Sequence, residues 1–389
     1  MIYVGIDIAS EKHECCILDE SRRKMESFSF PNNKAGFEML YNTCRKYALP
    51  EETKIGLEST GIYGDNLTAF LRRNGYETCT FNPLLIKKSI QATTLRKTKT
   101  DKSDASFLAT YLAREPSQPD PQVLYHISEL KSLCRERFFA VKQCSKMKTR
   151  LKGLIVSVFP EFLIAFSDVY GAAATALLHE YPSAKLLAKA EKSRVVEILT
   201  KASKNRFGET KADELIALAK ESVGCHSAAK VIEIQYCLEE IALNVKFIRR
   251  FEKDIRQIMT QINSPITTIP GIGYTLGAMI LSELGDITRF SKPEKILSFA
   301  GMEPSVYQSG KYTPASGSMV KRGSPYLRWA LSMAAREIIN HDARFAAYYR
   351  KKSSEGKPYN VACSHVAKKL VRLIFALLKK DTPYSLFSS

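Results

Sequence analysis

The chain has 389 residues, 45% of them hydrophobic and 25% charged, which gives room for two or three domains with cores of their own. Lys and Arg outnumber Asp and Glu by 58 to 40, a formal charge of +18, and this implies a polyanionic partner, nucleic acid ahead of a membrane surface. No apolar run approaches the ~20 residues that span a bilayer. Nine cysteines without C-x-x-C spacing and six isolated histidines offer no zinc framework and fit a reduced cytosolic chain.

The opening MIYVGIDIAS reads as a strand and not as a secretory leader. Its apolar core, residues 2–8, is followed by strand candidates at 14–19 and 24–30. Phe37, Leu40, Tyr41 and Cys44 then recur at helical spacing over 34–47. Lys54 to Glu58 is a further strand, a helix runs through Leu67, Phe70 and Leu71, and Tyr76–Phe81 is a fifth strand. A last helix starts after Thr100. The order βββαβαβα is that of a ribonuclease-H-like domain, an α/β fold with a mixed sheet covered by helices.

In that order Asp7 falls within the first strand and Glu58 at the end of the fourth, while Asp101 and Asp104 head the last helix. With Leu108 and Leu112 facing the core, those two carboxylates lie on one helix face about a turn apart. Taken alone, the pair is an acidic first turn favoured by the helix dipole. An Asp within an otherwise apolar strand is costly unless partnered. A phosphate-site Asp would call for a Gly-rich hairpin soon after it, and Ala9-Ser10-Glu11-Lys12 follows instead. Four carboxylates in this arrangement suit a divalent metal site. Lys87, Lys88, Arg96, Lys97, Lys99 and Lys102 crowd the approach to it, where cations offset like-charge repulsion and hold a phosphate backbone.

Pro-rich residues 115–122 mark a hinge after a first domain of 1–115. Beyond it, apolar spacing through Leu130, Leu133, Phe138, Leu151 and Ile155, and again over roughly 228–263, predicts two long helices. These pair as an antiparallel coiled-coil arm over 123–263 or mediate dimerisation, with Glu252 interrupting the seam. Residues 161–227 form a smaller helical insertion, clearest at 191–203 and 210–222. A C-terminal, mainly α domain of 264–389 opens on Ile269-Pro270-Gly271-Ile272-Gly273, which suits either a helix-hairpin-helix phosphate contact or a plain turn. A short helix at Lys292–Ala300 precedes a long irregular loop, and Ser324-Pro325 read as N-cap and first residue of the next helix. Such loops are often functional. Spacing alone does not choose among Ser305, Ser309, Ser316 and Ser318 as a nucleophile. Lys321, Arg322 and Arg328 stand nearby as phosphate ligands, and amphipathic helices near 325–351 and 359–380 close the chain.

VGIDIASEKH, LESTG, TKTDKSDA and the segment from Gly301-Met302-Glu303-Pro304 through Ser309-Gly310 to Lys321-Arg322-Gly323 occur in order. In these the chain resembles transposases of the insertion-sequence 110 family, the bridge-RNA-guided recombinases. The resemblance implies a RuvC-like first domain whose D-E-D-D set falls on Asp7, Glu58, Asp101 and Asp104 and holds Mg²⁺ or Mn²⁺. It implies a C-terminal transposase domain whose nucleophile falls on Ser309. It further implies DNA partners at the element ends and target, a structured guide RNA, a homodimer or homotetramer, and a nucleoid-associated cytoplasmic protein of a bacterium or archaeon. Two other readings stay open: a metal-dependent junction nuclease of RuvC type, and a non-catalytic architectural nucleic-acid binder.

Overall fold

The computed structural model describes residues 1–58, 63–81, 86, 89, 90, 101–115, 125–225, 227–304 and 319–387. The chain forms two compact units, Met1–Gln122 and Val123–Ser389.

In the first unit, alternation builds the sheet. Val4 and Ile6 carry apolar side chains to one face, while Tyr3, Gly5 and Asp7 take the other. The strands are β1 (Ile2–Asp7), β2 (Lys12–Leu18), β3 (Lys24–Pro31), β4 (Thr53–Glu58) and β5 (Glu77–Phe81). They form one mixed sheet in the order β3-β2-β1-β4-β5, with β1–β2 and β2–β3 antiparallel and β1–β4 and β4–β5 parallel. Helices α1 (Lys34–Arg45) and α2 (Asp65–Arg73) cover the Val4–Ile6 face. Phe37, Leu40, Leu67 and Leu71 pack there against Ile17, Phe30, Ile55 and Leu57, and each such fully buried side chain stabilises by roughly 1.5–3 kcal/mol.

The opposite face receives α3 (Asp101–Arg114) through Ala105, Leu108, Ala109 and Leu112. Gly5 sets how close it lies: a Cβ there would stand 2.2 Å from the Ala105 carbonyl and 2.3 Å from the Ala109 nitrogen. The helix backbone therefore rests directly on β1.

In the second unit, α4 (Tyr125–Val158) and α10 (Ala228–Ile262) run the length of each other. Their antiparallel sense follows from the ion pairs Arg137–Glu252 and Arg150–Glu233, at 2.7 and 2.9 Å. Glu252, the break in the apolar seam, is thus answered by an arginine of the facing helix. Between the two lie the shorter helices α5 (Phe162–Ala165), α6 (Ala172–Glu180), α7 (Ala184–Leu187), α8 (Lys192–Ser203) and α9 (Glu209–Lys220). They share one core with one end of the long pair, including Leu151, Ile155 and Ile234.

A second core joins the other end of the long pair to α11 (Tyr274–Leu284), α12 (Pro293–Phe299), α13 (Pro325–His341), α14 (Ala343–Ser354) and α15 (Tyr359–Lys380). The helix expected over 325–351 is broken at Asp342, whose carboxylate accepts from the Arg344 and Phe345 nitrogens and so caps a new helix. Among the described residues no helix is long and apolar enough to cross a membrane.

Candidate active site

Register brings the sequence-picked acids of the first unit together on one face. Gly5 is level with Gly56 and Ile6 with Leu57, so the next residues, Asp7 and Glu58, end adjacent parallel strands side by side. A Cβ on Gly56 would meet Leu112 of α3, which fixes β4's Gly56–Glu58 face as the one α3 covers. On α3 the buried stripe Ala105, Leu108, Leu112 continues backward at helical spacing to Asp104 and Asp101. Asp104 is half-buried and Asp101 exposed. Asp7, Glu58 and the acidic first turn of α3 thus belong to one side of one sheet. Among the described residues, as placed, no three His, Cys, Asp or Glu side chains come close enough to hold a metal ion.

The sequence reading passed over a fifth acid. Glu14 of β2 stands directly opposite Asp7 in the antiparallel register and is buried. Its Oε1 accepts from the Ser29 hydroxyl at 2.6 Å and pairs with Lys12 at 3.0 Å. Burial pushes the Glu14 carboxyl up, but the Ser29 hydrogen bond and the charges of Lys12 and Lys102 outweigh it and leave it below the usual carboxylate range. The signal in the sequence was faint: Glu14 opens the strand candidate at 14–19, and only pairing with β1 reveals its place. Lys102 is exposed on the first turn of α3, while Lys87, Lys88, Arg96, Lys97 and Lys99 lie outside the described residues.

Ser309 also lies outside them, as do Ser305, Ser316 and Ser318. The residues on either side of that stretch are fixed to each other. Pro304 bridges Met319, the Val320 nitrogen donates to the Glu303 carbonyl at 2.9 Å, and Lys321 donates to Gly301 at 3.0 Å. Two glycines with positive φ permit the approach: a Cβ on Gly301 (φ 66°) would lie 2.3 Å from the Arg322 carbonyl, and one on Gly323 (φ 127°) 2.1 Å from that of Phe299. Lys321 and Arg322 are exposed, whereas Arg328 is half-buried and donates to the Ala300 carbonyl at 2.9 Å.

Beneath this base sits a polar network the sequence did not announce. Glu283 of α11, 3% exposed, receives the Arg135 guanidinium through two hydrogen bonds of 2.6 and 3.1 Å. Ser324 donates to its Oε2 at 2.8 Å while accepting from the Leu327 nitrogen, which caps α13. Arg135 lies 4.7 Å above the Tyr326 ring. The network ties α4, α11 and α13 together where the 299–304 and 319–324 segments meet.

A five-stranded mixed sheet with Asp7 and Glu58 at the ends of adjacent strands is followed by a long helical region, and similarity says which class of protein this is. A transposase model of the DEDD type named for IS110 matches residues 4–160, and the model described as transposase IS116/IS110/IS902 family matches residues 263–350. Several relatives match at nearly full length. The uncharacterized 44.8 kDa protein of insertion element IS116 from Streptomyces clavuligerus is 24% identical, over 97% of this chain and 94% of its own. The 43.6 kDa protein of insertion element IS110 from Streptomyces coelicolor is 22% identical, over 98% and 95%. The pilin gene-inverting protein of Moraxella lacunata is 23% identical, over 98% and 97%. The chain belongs to the IS110 family of transposases.

Proposed function

We propose that this chain is a DNA recombinase that excises and inserts a mobile element, and that its first unit is a RuvC-like catalytic domain. The observation that carries the reading is the shared face of Asp7, Glu58 and the first turn of α3, each on an element whose position follows from strand register and the close seating of α3 on Gly5. Family membership and the name of the Moraxella relative, a pilin gene-inverting protein, support DNA rearrangement as the outcome.

The donor set fits a hard divalent cation, because carboxylate oxygens are the side-chain ligands such ions take. Asp7, Glu58, Asp101 and Asp104 would hold Mg²⁺ or Mn²⁺, which when bound orients a phosphate and offsets the charge that develops on it. The chain's own groups do the remaining work. Lys102 tempers the repulsion among the acids, and Lys321 and Arg322 hold the DNA backbone.

Ser309 is the nucleophile of this reading. Its Oγ bonds to phosphorus while the bond from phosphorus to the leaving sugar oxygen breaks. The serine proton passes to a base, and the departing oxygen takes one up. The phosphoserine link retains a phosphodiester bond, so attack by a sugar hydroxyl rejoins the strand without ATP. A structured RNA encoded by the element directs the choice of site, and the +18 charge suits two nucleic-acid partners held by a homodimer or homotetramer.

The test incubates the full chain, Mg²⁺ and RNA transcribed from the flanking non-coding stretch with DNA carrying the element ends, and resolves products on a denaturing gel. A protein–DNA adduct is expected, lost in both Ser309→Ala and Asp7→Ala. An adduct that persists in Ser309→Ala removes Ser309 as nucleophile. Cleavage to free ends with no adduct makes the chain a hydrolytic nuclease. Binding indifferent to Mg²⁺, with no cleavage at all, makes it architectural.

A further inference from the structure

The second family match ends at residue 350, and most of a cleft of about 420 Å³ is built from residues beyond it. The cleft lies between the start of α14, the middle of α15 and Tyr384. Its lining among the described residues is Arg344, Phe345, Lys369, Arg372, Leu373 and Tyr384: three cations, three apolar or aromatic side chains and no acid. Lys369, Arg372 and Leu373 fall at i, i+3 and i+4 of α15 and so share one of its faces. Phe345 and Tyr384 are buried, while the three cations are exposed. Clefts of roughly 300–1,000 Å³ are the usual size for holding one small ligand.

The cations are set in place by the fold itself. The Tyr384 hydroxyl donates to Asp342 and accepts from the Arg344 guanidinium at 2.6 Å, and Arg344 lies 5.4 Å from the centre of the Tyr384 ring. Lys369 stands 5.4 Å over the Phe345 ring and 5.0 Å over that of Tyr348. Two acids reach the cations from outside the lining: Asp342 pairs with Arg344 at 3.6 Å, and Glu294 with Arg372 at 3.7 Å. The second pair joins side chains 65% and 46% exposed, an open contact that is weak and easily exchanged for another anion.

Three cations with no acid among them select an anion, and the apolar lining selects one that carries more than charge. Free phosphate or an acidic peptide would leave Phe345, Leu373 and Tyr384 unused. A duplex keeps its bases stacked and paired, out of reach of such a cleft. An unpaired nucleotide uses both halves of the lining. We propose that the cleft binds single-stranded nucleic acid, seating an unpaired base against Phe345, Leu373 and Tyr384 and its flanking phosphates on Arg344, Lys369 and Arg372. The inference rests on the reading that the chain works on nucleic acid, and it adds a contact in the second unit that owes nothing to the acids of the first.

Fluorescence anisotropy of the full-length chain with short labelled oligo-U, oligo-dT and a DNA duplex of the same length tests this by binding alone. The double variant Lys369→Gln, Arg372→Gln, changed at two exposed positions, is expected to bind the single strands about tenfold more weakly at low salt. Its slope of log affinity against log salt should be smaller by about 1.4, two phosphate contacts at ~0.7 each, and its duplex binding should match wild type. Whichever of oligo-U and oligo-dT binds tighter tells whether RNA or DNA is the source, and either supports the cleft. Unchanged single-strand binding in the double variant, with wild type still cleaving element-end DNA, overturns the cleft and leaves the recombinase reading intact. Equal losses on duplex and single strands overturn the unpaired base. Wild type that binds no nucleic acid overturns both readings. Should circular dichroism show the double variant unfolded, ultraviolet cross-linking of wild type to the same single strands decides. Adducts on the peptides carrying Phe345 or Tyr384 support the cleft, and adducts confined to other peptides overturn it.

Discussion

Glu283 and Glu14 are both glutamates buried in their own units, 3% and 8% exposed, yet their surroundings treat the carboxylate differently. Around Glu283 both oxygens are answered by Arg135 and one of them also by Ser324, an arrangement that closes on itself and joins three helices. Around Glu14 one oxygen gathers the donors and the other is buried without one among the described residues. A satisfied buried carboxylate is a fastening. The second unit therefore uses charge to hold shape, while the acids of the first serve the proposed chemistry, and substitutions in the two places should separate activity from stability.

The largest effect is expected at Asp7. Asp7→Asn preserves the shape but removes the charge at the centre of the acidic face, and strand cleavage should fall by about 10²–10³-fold or more, measured as initial rate on element-end DNA. Unfolding by denaturant should shift little. A variant that cleaves at near wild-type rate would break the contrast at its functional end.

Next comes Arg135→Ala, which leaves the Glu283 carboxylate in the core of the second unit with Ser324 as its remaining donor. Removing one member of a buried pair costs about 3–5 kcal/mol, so its unfolding midpoint in urea should fall sharply. Glu283→Ala should cost less, about 2–3 kcal/mol by the same reasoning, because the Arg135 side chain is 41% exposed and the freed guanidinium can be hydrated. Equal losses would show that Arg135 acts mainly by packing on Tyr326 rather than by charge.

Much of this frame was legible in the sequence. The apolar run at 2–8 marked a strand with Asp7 inside it, and the spacing from Asp101 to Leu112 put two acids on one helix face. Three-four apolar spacing announced both long helices, and Ser324-Pro325 announced the start of α13, where Ser324 does cap the Leu327 nitrogen. What escaped depends on pairings that local patterns do not encode. Nothing local marks Glu283, because its partner Arg135 is 148 positions away. Glu14 needed the register of β1 on β2 to be seen beside Asp7. His13, fully buried against Phe30 and Phe37, hid the start of β2, which begins at Lys12 rather than 14. The break at Asp342 escaped for the opposite reason, since apolar periodicity continues across a point where a cap restarts the helix.

Ser324→Ala separates capping from the Glu283 network. Loss of an N-cap hydroxyl costs about 1 kcal/mol, and the donor to Glu283 disappears with it. Because Arg135 still binds both carboxylate oxygens, the total should stay near 1–2 kcal/mol, read from chemical denaturation. Ser324→Thr keeps the hydroxyl and should recover most of it.

The smallest effect on stability should come from Glu14→Gln, and here pH is the finer probe. The pair with Lys12 is half open to water, with that lysine side chain 58% exposed, so it is worth about 0–1 kcal/mol. Because Ser29, Lys12 and Lys102 more than offset burial, the folded carboxyl titrates below its unfolded value. Its contribution is therefore fully present above the ordinary carboxylate pKa of ~4.3 and disappears as pH falls through the lower folded value. Wild type should exceed Glu14→Gln by under about 1 kcal/mol at neutral pH, and the two denaturation curves should converge on acidification. Convergence on raising the pH instead would mean that desolvation outweighs the three donors and that the carboxyl is destabilising where it lies.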